Sequence, residues 1–272
     1  MVVFPNAKIN LGLNILSKRE DGYHNLHTVF APIAVKDVLE IIEAKDATQD
    51  VQFSSSGLPV AGELSSNLCV RAYQLLKKDF TDIPPVRMHL HKTIPMGAGL
   101  GGGSSDAAFA LQLINQKFNL QLSRAQLIGY AAHLGSDCAF FILNRPCYAT
   151  GRGEVLQPLD LDLTAYKILL VNPGLHINTA QAFSKIVPGI HTTDLRTLLA
   201  KNIRQWKNYL HNDFEESVFS AFPEVGAIKN LLYQQGALYA SMSGSGSSVY
   251  GIFEKHTQPA IKFPQHYFHR WV

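Results

Sequence analysis

The chain has few cysteines, little net charge and no long apolar run, and each shortage closes off a class of protein. Its three cysteines, Cys69, Cys138 and Cys147, are odd in number and widely spaced, and no CxxC pair occurs. A disulfide framework or zinc ribbon is thereby excluded, and reduced thiols in a cytoplasm are expected. No run of about 18 apolar residues is present to span a membrane. The first ten residues, MVVFPNAKIN, lack the basic segment and apolar stretch of a secretory signal. A net charge of +3 without a basic stripe argues against nucleic acid as a partner. Nothing in the sequence specifies an oligomeric state. The 272 residues, 46% of them hydrophobic, suffice for one large domain or two modest ones with a full core.

Patterning gives a mixture of strands and helices. Val2–Phe4, Leu26–Ile33 and Val38–Ile42 read as strands. Residues 65–78 read as a helix that Ser65 or Ser66 can cap, with Leu68, Ala72, Leu75 and Leu76 at helical spacing. Val86, Met88 and Leu90 alternate with Arg87, His89 and His91, which predicts a half-buried strand. Helices are expected at 107–114, at 123–133 with Ser123 as cap, at 180–185, at 194–200 and at 224–235. The apolar run Cys138–Leu143 and the segment Ile168–Val171 are expected to be strands. The class is α+β, with a boundary near residues 150–165, and no internal repeat is present.

Between the half-buried strand and the helix at 107–114 lies Pro95-Met96-Gly97-Ala98-Gly99-Leu100-Gly101-Gly102-Gly103-Ser104-Ser105. Glycine permits positive φ and close approach of backbone amides to a ligand. A helix start directly behind adds unpaired N–H groups and a partial positive charge. Together these make a phosphate cradle. Three common phosphate loops are excluded. A dinucleotide fingerprint expects an acid about 20 positions on, and no Asp or Glu occurs between Asp106 and Asp137. A Walker A loop needs a Gly-Lys pair, which the chain lacks, and the HRD and DFG segments of protein kinases are missing.

The loop resembles the second motif of the GHMP kinases. Asn6-Ala7-Lys8-Ile9-Asn10-Leu11 resembles the family's first motif, with Asn6 where proline is usual. Leu134-Gly-Ser-Asp137-Cys-Ala-Phe-Phe141 resembles the segment that carries its catalytic aspartate, departing from it at Ser136, Cys138 and Ala139. Met242-Ser-Gly-Ser-Gly-Ser-Ser248 resembles its third motif, which braces the first loop. Ala149-Thr-Gly-Arg-Gly-Glu154 is a further match, read as marking the end of the first domain.

The resemblance implies a two-domain α+β fold, with a ribosomal-protein-S5-like domain over residues 1–157 and a ferredoxin-like domain over 158–272, and the active site between them. It implies ATP and Mg²⁺ as cofactors, held at Pro95–Ser105, with Asn67 and Lys92 on the adenine side. Asn67 and Lys92 can equally be a helix cap and a solvated strand end. Asp137 would take the acceptor's hydroxyl proton, or only orient the hydroxyl, and Lys8 would stabilise the alkoxide. Read by itself, Lys8 can also be an edge-strand lysine in solvent. No carboxylate is assigned to the metal, although Ser104 or Ser105 can contribute.

Asp21-Gly22-Tyr23-His24 resembles the segment of those family members whose acceptor carries a cytidine diphosphate group. There Tyr23 would stack near the base, His24 would bond its edge, Phe183 would supply a second aromatic and Asn10 would line the substrate site. The His24-x-x-His27 spacing lacks the further ligands a zinc site needs. The implied reaction is transfer of the γ-phosphate of ATP to the 2-hydroxyl of 4-diphosphocytidyl-2-C-methyl-D-erythritol, on the route to isoprenoid precursors. Another small-molecule kinase of the family, of homoserine or mevalonate type, and a non-catalytic nucleotide-binding regulator are the alternatives.

Overall fold

The computed structural model describes every residue except 46, 47, 61, 179–181, 184, 185, 187, 190 and 192. The chain divides into two compact units that do not follow one another in sequence. The first comprises Met1–Ala7, Ala34–Met96 and Gly101–Asn144; the second comprises Lys8–Ile33, Gly97–Leu100 and Arg145–Val272.

In the first unit, β1 (Val2–Val3), β4 (Val38–Glu43), β5 (Val51–Gly57) and β6 (Val86–Lys92) form one sheet in the order β1-β4-β6-β5. β6 runs antiparallel to β4 and parallel to β5. The alternation read from the sequence of β6 is real: Val86, Met88 and Leu90 are buried, and Arg87 and His91 are exposed. Among helices α1 (Leu68–Asp79), α2 (Gly102–Lys117), α3 (Arg124–Leu134) and α4 (Cys138–Leu143), α2 and α3 pack on each other and on both α1 and α4, and α2 also packs on β4.

Two expectations are corrected in this unit. Cys138–Leu143 is a short helix, with Cys138 to Ile142 all buried against α2 and α3. A run apolar on every side carries no period, so strand and buried helix look alike in sequence. At α1 the cap is Asn67, because Leu64–Ser66 forms a 3₁₀ turn; Asn67 Oδ1 accepts from the Cys69 and Val70 amides. α2 is longer than expected and starts within the glycine run.

The second unit holds two sheets. β2 (Asn6–Lys18), β3 (His24–Lys36), β7 (Cys147–Thr150) and β8 (Val155–Pro158) stand in the order β2-β3-β7-β8. The first seven residues of the chain and the last three of β3 lie in the other unit. β9 (Tyr166–Asn172), β10 (Tyr239–Met242), β11 (Val249–Glu254) and β12 (Phe268–Trp271) form the other sheet, in the order β10-β11-β9-β12, with antiparallel pairing throughout. That is the strand order of a ferredoxin-like sheet. Between β9 and β10 come α5 (Leu195–Leu199), α6 (Ile203–Trp206), α7 (Phe214–Ala221) and α8 (Pro223–Gln234). α7 and α8 place Phe214, Val218, Val225, Ile228 and Leu232 on the core with Leu169, Val171, Met242, Val249 and Phe253. The helix expected at 180–185 falls mostly outside the described residues.

Ser123 caps α3 in a full capping box: its hydroxyl accepts from the Gln126 amide, and the Gln126 side chain accepts from the Ser123 amide. Ser123→Ala should therefore lower stability by about 1 kcal/mol, read as a fall in the melting midpoint with ATP kinetics unchanged.

Candidate active site

The glycine loop is built from both units. Pro95 and Met96 close its first stem and Gly101–Ser105 open α2 in the first unit, while Gly97–Leu100 cluster with the second. Gly97, Gly99 and Gly101 all have positive φ, at 63°, 76° and 69°, conformations that cost a side-chain-bearing residue about 1–2 kcal/mol. Gly101 is the left-handed residue at the start of α2, so the first-turn amides are presented without a side-chain cap.

Within the second unit, Gly97–Leu100 is gripped by the loop joining β10 and β11. A Cβ on Gly99 would lie 1.8 Å from the Ser243 carbonyl oxygen. The Ser243 hydroxyl donates to the Gly99 carbonyl at 2.8 Å, and the Ser248 amide donates to the Ala98 carbonyl at 3.2 Å. The bracing expected of the third motif is thus present. That loop is itself anchored. Asn212 Nδ2 donates to the Met242 and Gly244 carbonyls, and Asn172 Nδ2 donates to the Ser247 and Ser248 hydroxyls. Buried Glu215 accepts from the Met242 amide, the Ser241 hydroxyl and Lys229. None of these anchors has a sequence signal, since each reaches residues 241–248 from tens of positions away.

Lys8 lies in the second unit and is only 4% exposed, which removes the solvent-facing reading. Its Nζ donates to Asn10 Oδ1 at 2.7 Å and sits 4.9 Å from the centre of the Phe30 ring. Asn10 is held in turn: its Nδ2 donates to Thr28 Oγ1, and its carbonyl accepts from the Tyr250 hydroxyl. The Lys8 amide donates to the Leu100 carbonyl at 3.0 Å, so the first and second motifs meet through backbone.

Asp137 lies in the first unit at the N-cap position of α4, partly exposed, in the turn closed by the Cys138 amide on the Gly135 carbonyl. A Cβ on Gly135 would be 3.4 Å from Cys138 Sγ and 3.9 Å from Ser104 Oγ. The Asp137 turn therefore runs beside the first turn of α2. Burial pushes the Cys138 thiol up to about 11, which keeps it protonated at neutral pH.

Asn67 is committed to capping α1 through its oxygen. Lys92 is 1% exposed, and its ammonium is taken by Asp37 and by Asp106, the latter at 2.7 Å. Lys92 thus lies beneath the loop, not on its surface. Burial raises the Asp106 pKa, against the opposing pull of the Lys92 ammonium.

Three of the residues expected at the base pocket stand together in the second unit. His24 and Phe183 stack with ring centres 4.9 Å apart and planes 20° apart, and Phe183 meets Phe214 edge-on at 4.7 Å. Tyr23, next to His24, is 57% exposed, and the Arg152 guanidinium lies 4.8 Å from its ring centre. Asp21 fixes the turn by accepting from the Tyr23 amide and from Arg19. Burial, with Lys18 adding, lowers the His24 pKa, so the ring is neutral at pH 7 and able to accept at one nitrogen while donating at the other. Arg152 carries no sequence signal for this contact, because a cation over an aromatic ring leaves no local spacing to read.

Among the described residues no three His, Cys, Asp or Glu gather into a metal cage. Magnesium that rides on nucleotide phosphates needs few protein ligands and favours oxygen. Ser104 and Ser105 offer hydroxyls in the first turn of α2, and the Ser105 Oγ is buried. Among the described residues that Ser105 oxygen has no partner, and these donors fit such an ion. Among the described residues no helix is long and apolar enough to cross a membrane.

Comparison with known proteins shows the family. The model of the GHMP kinases N terminal domain matches residues 67–145, and that of the GHMP kinases C terminal domain matches residues 194–263. The chain belongs to the GHMP kinases, an ATP-dependent family. Within that family it is 53% identical over 253 residues to 4-diphosphocytidyl-2-C-methyl-D-erythritol kinase of Bacteroides fragilis, covering 93% of this chain and 92% of the relative. A crystal structure of 4-(cytidine 5'-diphospho)-2C-methyl-D-erythritol kinase superposes with a TM-score of 0.80 at 33% identity, covering 93% of this chain and 90% of the other. The mevalonate kinase of Methanococcus jannaschii, at 13% identity and a TM-score of 0.68 over 94% of this chain and 92% of that one, shares the fold alone.

Gly99→Ala tests the interlock of the two glycine turns. The added methyl meets backbone, which cannot swing aside, so the variant should lose well over the 1–2 kcal/mol of left-handed strain and most ATP turnover, measured by thermal melting and ADP release.

Proposed function

We propose that this chain transfers the γ-phosphate of ATP to the 2-hydroxyl of 4-diphosphocytidyl-2-C-methyl-D-erythritol. The observation that carries the substrate assignment is the stack of His24 on Phe183, two residues far apart in sequence that the second unit joins beside Tyr23. An acceptor with a cytidine diphosphate group uses such a platform: the rings take the base by stacking, and a neutral imidazole reads its edge. Homoserine and mevalonate have no base to stack.

Phosphoryl transfer asks a protein mainly to align reactants and neutralise charge. The amides of Pro95–Ser105 and the start of α2 receive the nucleotide phosphates. Asp137 accepts the proton of the acceptor hydroxyl, and the attacking oxygen forms its bond to the γ-phosphorus as the bond to the β–γ bridging oxygen breaks. Lys8, buried and already hydrogen-bonded to Asn10, is oriented to stabilise the alkoxide before attack. Magnesium, held by Ser104 or Ser105 with the phosphates, would neutralise charge there. Residues 1–157 carry the nucleotide and catalytic groups in this reading, and residues 158–272 complete the substrate site. Three buried cysteines without a disulfide support a reducing, cytoplasmic setting.

Two measurements test the assignment. Asp137→Asn should lower kcat by about 10²–10⁴-fold while ATP binding stays within about twofold; unchanged turnover would remove Asp137 from the chemistry. ADP release against a panel of alcohols should need the cytidine diphosphate acceptor, and turnover confined to homoserine or mevalonate would overturn the substrate.

A further inference from the structure

Three charged side chains in the first unit are buried together: Asp37 at 0% exposure, Lys92 at 1% and Asp106 at 3%. They come from the β3–β4 junction, the end of β6 and the first turns of α2. Lys92 Nζ donates to Asp37 Oδ2 and to Asp106 Oδ2. The other oxygen of Asp37 accepts from the amides of Thr93 at 2.6 Å and Ile94 at 2.9 Å, the two residues directly before Pro95. A Cβ on Gly102, the first residue of α2, would lie 2.9 Å from Lys92 Nζ. One ammonium therefore touches both ends of the glycine loop: the strand that leads into it, through Asp37, and the helix that leaves it, through Asp106 and Gly102.

Stability alone does not call for such a group. Buried ion pairs are expensive to desolvate, and well-packed apolar residues of similar volume often serve as well or better. What charges add is directional contact at fixed distance. The positions held here are those that set the direction of the loop amides, where errors of about 1 Å cost binding and rate.

We propose that Lys92, Asp37 and Asp106 are positioning residues for nucleotide binding, setting the spacing and direction of the two stems of the glycine loop without touching the nucleotide. The proposal rests on the reading that this loop holds the phosphates of ATP. It predicts a selective defect: removing the clamp weakens ATP binding and leaves the acceptor's own affinity alone.

Steady-state kinetics of three variants, at a temperature well below each melting midpoint, provide the test. Asp106→Ala should raise KM for ATP by about tenfold or more, with KM for the acceptor and kcat at saturating ATP within about twofold. Asp106→Asn, whose amide oxygen can still accept from Lys92, should restore most of the loss. The charge-free triple variant Asp37→Asn, Lys92→Met, Asp106→Leu guards against an unfolded single variant: it should melt near the wild type yet show the raised KM for ATP. A folded triple variant with the wild-type KM for ATP would overturn the proposal, as would equal changes in both KM values or no difference between the Asn and Ala variants. Wild-type protein that turns over no ATP would instead overturn the reading of the loop, an outcome distinct from active wild type with unaffected variants.

Discussion

At Gly99 two turns of backbone touch. A methyl group there would sit 1.8 Å from the Ser243 carbonyl oxygen, and one on Gly244 would be 3.2 Å from Gly99 Cα. Backbone cannot retreat as a side chain can, so glycine at these places is a steric requirement. Much of the second unit's polar structure serves this contact. Asn172, Asn212 and Glu215 spend their hydrogen bonds on residues 241–248, and Tyr250 and Thr28 hold Asn10, whose oxygen lies beside the same turn. Lys8 joins this arrangement twice, by its amide to Leu100 and by its ammonium to Asn10.

The loop's outer stems obey a different constraint. Where Gly97–Leu100 is held by backbone contact, the stems at Thr93–Ile94 and Gly102 meet a buried ammonium and two carboxylates. Hydrogen bonds to charged groups are shorter and stronger than neutral ones, so they hold their partners at closer distance. A phosphate cradle built of amides depends on where those amides point, and both devices act on direction.

Much of this was legible in the sequence because the reasons were local. Positive φ demands glycine, so five glycines in seven positions announce a strained turn. Alternation in Val86–Leu90 and the Ser123–Gln126 box also act within a few residues. Asp37, Asp106, Asn212 and Glu215 left no trace, since their partners lie 14 to 57 residues away. Lys92 shows the same limit: the resemblance implies contact with adenine and its strand-end place suggests water, and only the fold puts two carboxylates against it. The Cys138–Leu143 helix escaped because burial on all sides erases periodicity. His24 and Phe183 were each singled out by resemblance, but their mutual stacking is a property of the folded second unit.

The proposed function depends on the amides of residues 97–105 receiving the phosphates of ATP, with Ala98 and Gly99 braced by the turn at 243–248. Amide chemical-shift mapping on the folded protein, titrated with a non-hydrolysable ATP analogue and magnesium, tests it directly. The largest shifts should fall on the amides of Gly97, Gly99 and Gly101–Ser104. Shifts concentrated elsewhere, with these amides unmoved at saturation, would contradict it.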